Sequence, residues 1–182
     1  MREIKTIDLF AGAGGITEGF RQAGATCVFA NDFNLHACQT FRLNHPGVEN
    51  VCGRIQDLDA RGIRKSLGLG KGDLDVLVGG PPCQGFSINA PERFLEDPRN
   101  SLFKHYLRFV DEFAPKTFMF ENVPGMLSLG GGHIFDTIIS QMQERGYRIS
   151  ARILLAAHYG VPQVRWRMII LCLLYTSPSP RD

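Results

Sequence analysis

The sequence predicts an α/β fold built on a doubly wound, mostly parallel sheet. Short apolar runs alternate with segments of helical periodicity over nearly the whole chain, the pattern of parallel strands joined by covering helices. The 20 glycines gather at the ends of those runs, in Phe10 to Gly15, Gly68 to Gly72, Gly79 to Gly85 and Gly130 to Gly132, where loops need close backbone approach. Finally, 182 residues with 44% hydrophobic content suit one domain with a sizeable core.

Strands are expected at Ile4 to Phe10, Thr26 to Ala30, Val51 to Ile55, Leu74 to Val78, Thr117 to Phe120, Ile149 to Leu155 and Arg167 to Leu173. Helices are expected at Ile16 to Ala23, Leu35 to Asn44, Arg61 to Leu67, Ser101 to Glu112 and Ile134 to Arg145. In the Ser101 segment, Leu102, Phe103, Tyr106, Phe109, Val110 and Phe113 recur at three-four spacing, so these aromatics read as core and not as a base-stacking platform. The polar stretch "NAPERFLEDPRN" reads as a long functional loop. After Leu173 the chain turns into "YTSPSPRD", which has no apolar face to bury; residues 1–173 are therefore taken as the folded domain and 174–182 as a disordered or foreign tail.

No apolar run is long enough to span a bilayer, and Glu3 and Asp8 interrupt any signal-peptide pattern, so a cytoplasmic or nucleoid-associated protein without a membrane partner is expected. A net charge of +2 permits a nucleic-acid partner without demanding one. The five cysteines are scattered and never form a C-x-x-C pair, which argues against a disulfide framework and against a metal site.

The stretch "IDLFAGAGGITEGF" is a strand, a tight glycine loop and a helix start. The Gly12-x-Gly14 turn lets the backbone pass close to a ligand, and the helix offers unpaired amides to polar groups. A dinucleotide site would want a third glycine where Thr17 stands. Asp32 closes the second strand, where a carboxylate can accept from both hydroxyls of a ribose; it could also cap the next helix, the two roles being compatible, and Phe33 could lie against an adenine. In a Rossmann-like sheet the first and fourth strands adjoin at the topological switch point, which sets the Gly12 loop beside "GGPPCQGFS". Pro81 and Pro82 could simply end a strand above a buried Cys83, or they could aim a reactive thiol.

Four motifs in order, "DLFAGAGG", "GGPPCQGFS", "FENVPG" and "YGVPQVRWR", resemble those of the cytosine-C5 DNA methyltransferases that use S-adenosylmethionine. The resemblance implies the Rossmann-like fold of the class I S-adenosylmethionine-dependent methyltransferases. It also implies duplex DNA as partner, with the target cytosine flipped out of the stack, and a cognate restriction endonuclease system. By the same resemblance Cys83 is the nucleophile that adds to C6, Glu121 engages N3 and the exocyclic amine, and Arg165 and Arg167 jointly contact O2 or a phosphate. Phe10, Ala11, Gly12, Gly14, Gly15, Asp32, Phe33, Ile55 and Pro82 would hold the cofactor, and Gln84, Ser87, Arg99, Asn122 and Gln163 the substrate. Trp166, between the arginines, is expected to point to the other face as core or interface.

Two departures qualify this. The family commonly carries Gly-Asp-Ile near the end of the third strand, where this chain reads Gly53-Arg54-Ile55, and arginine cannot accept a hydrogen bond from the adenine amine. The family's target-recognition domain and last motifs have no counterpart here, so the chain reads as an amino-terminal catalytic fragment with weak or absent activity. The competing functions are the same chemistry on a tRNA cytosine, a non-catalytic cofactor-binding module and an NAD oxidoreductase.

Overall fold

The computed structural model describes residues 2–82 and 101–174. Five strands, β1 (Ile4–Leu9), β2 (Ala25–Asp32), β3 (Glu49–Cys52), β4 (Val76–Gly79) and β5 (Thr117–Asn122), pair in parallel; β7 (Trp166–Leu174) runs antiparallel between β5 and β6 (Tyr147–Leu155). The order is β3-β2-β1-β4-β5-β7-β6, so the chain winds outward from β1 to β3 and restarts at β4 on the other side. That restart is the topological switch point, and it brings the loops after β1 and β4 side by side as the sequence predicts.

Helices α1 (Gly15–Gln22), α2 (Leu35–Asn44), α3 (Ala60–Ser66), α4 (Ser101–Phe113) and α5 (His133–Gln143) fall within a few residues of expectation. The α4 aromatics are core: Phe103, Tyr106, Phe109 and Phe113 are buried, and Tyr106 packs edge-on against Phe118 and Phe120 of β5 at 6.1 and 5.9 Å. Its hydroxyl donates to the Met119 carbonyl at 3.0 Å, so the buried phenol is satisfied. No helix among the described residues is long and apolar enough to cross a membrane.

Three boundaries move for identifiable reasons. β3 stops at Cys52 instead of reaching Ile55, because the Asn31 side-chain amide captures the Val51 and Gly53 carbonyls, each at 2.9 Å, and the chain then turns into a short 3-10 helix at Ile55–Asp57. β4 starts at Val76, two residues late; the Asp75 carboxylate is held by the Lys5 backbone N–H at 3.0 Å, by Lys116 Nζ at 2.8 Å and by Arg2. β7 includes Leu174, whose N–H donates to the Lys116 carbonyl at 2.9 Å, so the strand runs one residue into the expected tail.

Candidate active site

The glycine loop is built from the end of β1. Gly14, the residue before α1, has φ +95°, and a Cβ there would stand 2.6 Å from His45 Nε2 and 2.9 Å from a Phe41 ring carbon. Only glycine satisfies both the left-handed backbone and that packing. Loop and second strand are stitched together: Ala11 N–H donates to the Asn31 carbonyl at 3.0 Å, and Gly12 N–H to Asp32 Oδ2 at 2.9 Å. Asp32 Oδ1 also accepts from the Asn34 N–H at 2.8 Å. Asp32 is not the cap of α2, a role taken by Asn34, whose side chain accepts from Ala37 N–H at 3.1 Å.

Beside this loop lies an apolar cavity of about 190 Å³, whose walls include Phe10, Phe33, Ile55, Pro82 and Leu102. Arg54, standing where an acidic residue was expected, lines it too. Ala11, Gly12, Gly14, Gly15 and Asp32, also expected at the cofactor, do not line the cavity, and Phe33 is 69% exposed, a face left open to a planar partner.

A second cavity, of about 300 Å³, meets the first at Pro82. Gly80, Pro81, Glu121, Asn122, Arg165 and Arg167 line it. Arg167 Nε donates to Glu121 Oε1 at 2.7 Å, with each side chain about a quarter exposed, at 24% and 26%. The pair follows from the β5–β7 register, in which Glu121 faces Ile169, two residues from Arg167 on the same side of the strand. Asn122 is buried: its amide donates to the Pro81 carbonyl at 3.1 Å and its Oδ1 accepts from Val123 N–H at 2.9 Å, which locks the end of β5 to the loop leaving β4. The arrangement presents a carboxylate and two guanidinium groups around a cavity that shares Pro82 with the apolar one.

The family description "C-5 cytosine-specific DNA methylase" matches residues 4–179. The chain belongs to this family. Among curated methylases it is 46% identical over 167 residues to the type II methyltransferase M.AgeI of Thalassovita gelatinovora, covering 92% of this chain and 39% of that protein. It is 43% identical to M.XorII of Xanthomonas oryzae, covering 96% of this chain and 41% of the relative. The chain thus spans about two-fifths of the length of these relatives. A crystal structure of a prophage-encoded methyltransferase from E. coli superposes with a TM-score of 0.79 at 31% identity, over 94% of this chain and 47% of the other. The S. pombe Dnmt2 structure, at 23% identity and a TM-score of 0.73, shares the fold.

Of the methylase residues expected from sequence, Phe10, Phe33, Ile55 and Pro82 share the first cavity, and Glu121, Asn122, Arg165, Arg167 and again Pro82 the second. Cys83, Gln84, Ser87 and Arg99 lie outside the described residues. Gln163 is exposed and does not line the second cavity; its carbonyl accepts from Arg165 N–H at 3.0 Å in the turn before β7. Trp166 is 48% exposed and so is not core. Sequence reasoning missed Asn31 and the buried pair Asp8 and Thr17. An asparagine directly before Asp32, and an aspartate inside the apolar run of β1, were the available signals.

Proposed function

We propose that this chain carries the cofactor-holding and base-activating part of a DNA cytosine-C5 methyltransferase, with residues 1–174 as its catalytic unit, one residue past the expected boundary because β7 includes Leu174. The observation that supports it best is that Pro82, one residue before Cys83, lines both the apolar cavity and the cavity of Glu121, Arg165 and Arg167. The first cavity suits the adenine end of S-adenosylmethionine by its apolar walls, and Asp32, next to Phe33 although not itself a wall of the cavity, keeps on each oxygen a lone pair for a ribose hydroxyl beside the one backbone amide it accepts. Arg54 can stack on the adenine but cannot accept from its amine, so the Ile55 side chain and nearby backbone carry that recognition. When bound, this cofactor supplies an electrophilic methyl group on a sulfonium.

The residues of the chain make cytosine able to accept it. The Cys83 thiolate forms a bond to C6, and the displaced π electrons move toward N3 and O2. Glu121 holds N3 and the exocyclic amine, while Arg165 and Arg167 neutralise the charge gathering on O2. C5 thereby becomes an enamine carbon, nucleophilic enough to take the methyl. Loss of the C5 proton to a base and expulsion of the Cys83 thiolate restore the aromatic ring. A base stacked in a duplex cannot present C6 to a sulfur, so the substrate cytosine is flipped out. The type II naming of the relatives supports pairing with a restriction endonuclease.

The experiment is covalent trapping. Duplex DNA carrying 5-fluorocytosine should form a denaturation-resistant adduct only when S-adenosylmethionine is present, and Cys83→Ser should form none. An adduct that survives Cys83→Ser would sink the assignment.

A further inference from the structure

Cys38 and Cys52 both hydrogen-bond to the Asp32–Phe33 turn. Cys38, on α2, is fully buried, and its Sγ donates to the Asp32 carbonyl at 3.3 Å. Cys52, the last residue of β3, is partly exposed, and its Sγ donates to the Phe33 carbonyl at 4.0 Å. Asp32 and Cys52 are register partners across β2 and β3. The two thiols therefore sit against consecutive carbonyls, and burial followed by a hydrogen bond with the Cys52 thiol pushes the Cys38 thiol up to about 12. The other described cysteines are set apart: Cys27 donates to the Phe29 carbonyl at 3.3 Å, and Cys172 lies 3.4 Å from the Met142 sulfur.

We propose that Cys38 and Cys52 form a dithiol modification site, closed to a disulfide by a small disulfide of the glutathione type, and that closure weakens cofactor binding at the adjoining pocket. The effect on binding rests on the assignment of Asp32 and Phe33 to the nucleoside.

The exchange balances without a metal. Cys52, the reachable sulfur, attacks as thiolate on one sulfur of the small disulfide and expels its partner as a thiol. Cys38 then gives up its proton and attacks the Cys52 sulfur of the mixed disulfide, releasing the second small thiol. Two protein thiols are oxidised to one disulfide, and one small disulfide is reduced to two thiols. An S–S bond of about 2.0 Å requires the two sulfurs to turn toward each other and away from the carbonyls. Closure also removes both S–H donors from the Asp32 and Phe33 carbonyls, so the turn that carries the two nucleoside residues must shift.

The test uses the full chain carrying Cys83→Ser, so that oxidation of the nucleophile is not read. After incubation with oxidised glutathione, peptide mapping should find a Cys38–Cys52 bond with the loss of two hydrogens in mass. Affinity for S-adenosylmethionine, measured by calorimetry, should fall about tenfold, or about 1.4 kcal/mol, and recover with dithiothreitol. Adding Cys38→Ser or Cys52→Ser should make the affinity indifferent to the oxidant. Absence of the bond, or its formation with unchanged affinity, overturns the proposal. A reduced chain that binds no S-adenosylmethionine sinks the cofactor assignment and with it the effect on binding, while the peptide map still decides whether the bond forms.

Discussion

The Asp8 carboxylate on β1 accepts two hydrogen bonds from Thr17 in the first turn of α1, one from its hydroxyl at 2.6 Å and one from its backbone N–H at 3.1 Å, all on Oδ2. Its Oδ1 is buried with no partner among the described residues. The clasp ties the strand to the helix across the glycine loop. Burial raises the Asp8 pKa to about 7, against the lowering effect of the two Thr17 bonds.

The linkage has a definite sign. The folded pKa lies above the ordinary value of 3.8, so the folded state holds the proton more tightly than the unfolded chain. The Asp8 contribution to stability is present in full below about pH 4 and is lost as pH rises to about 7, with a total span on the order of a few kcal/mol. Asp8→Asn keeps an oxygen for Thr17 and removes the titration. Denaturant unfolding at several pH values should therefore show that the stability of wild type relative to Asp8→Asn declines between pH 4 and 7 and levels off above. Parallel curves across that range would refute the assignment.

How far the sequence revealed the site depends on the range of the interaction involved. The β1–loop–α1 unit and the α4 aromatic face were legible because their signals, glycine spacing and three-four periodicity, act within a few residues. That Arg167 reaches Glu121 depends on antiparallel pairing of β5 with β7, which no local pattern encodes; alternation suggested a shared face for the two arginines and said nothing of what they would meet. The early stop of β3 likewise comes from a side chain on another strand, Asn31. Trp166 failed as core because β7 begins there, at the rim of the sheet, where a large ring is left half in solvent.

The Glu121–Arg167 pair should matter to chemistry far more than to the fold. Both side chains are about a quarter exposed, so the ion pair lies between a surface pair, worth about 0–1 kcal/mol, and a buried one. The amide of Glu121→Gln keeps the shape and an acceptor for Arg167 but cannot place a carboxylate on N3. Methyl transfer to DNA is expected to fall about 10²- to 10⁴-fold, with a melting temperature close to that of wild type. A variant that loses activity only in proportion to lost folded protein would contradict this.

Gly79 and Gly80 separate packing from function. A Cβ on Gly79 would stand 2.8 Å from the Leu9 carbonyl oxygen and 2.8 Å from a Tyr106 ring carbon, neither of which can swing away. Gly79→Ala should cost about 1–3 kcal/mol of stability. On Gly80 the same atom would meet Glu121 Oε2 at 2.8 Å, the far end of a side chain that can move. Gly80→Ala should then fold with nearly normal stability and lose methyl transfer by displacing Glu121. Thermal unfolding and labelled-methyl assays on the two variants should give opposite profiles, and equal destabilisation of both would defeat the distinction.

Asn31, itself a wall of the apolar cavity, offers a clear test of a residue that shapes the proposed cofactor pocket. Its side-chain amide serves the Val51 and Gly53 carbonyls, while its backbone carbonyl receives the Ala11 N–H. Truncation in Asn31→Ala therefore frees the exit of β3, which leads to Arg54 and Ile55, but leaves the glycine loop anchored. Two carbonyls that lose a buried donor cost about 1–3 kcal/mol, so the melting temperature should drop. Because Glu121 and Arg167 stand on the far strands, the chemical step should be spared. The expected result is a KM for S-adenosylmethionine raised severalfold with kcat little changed, the signature of binding lost equally from ground and transition states. A fall in kcat at unchanged KM would show that Asn31 acts on the reacting base and not on the nucleoside pocket.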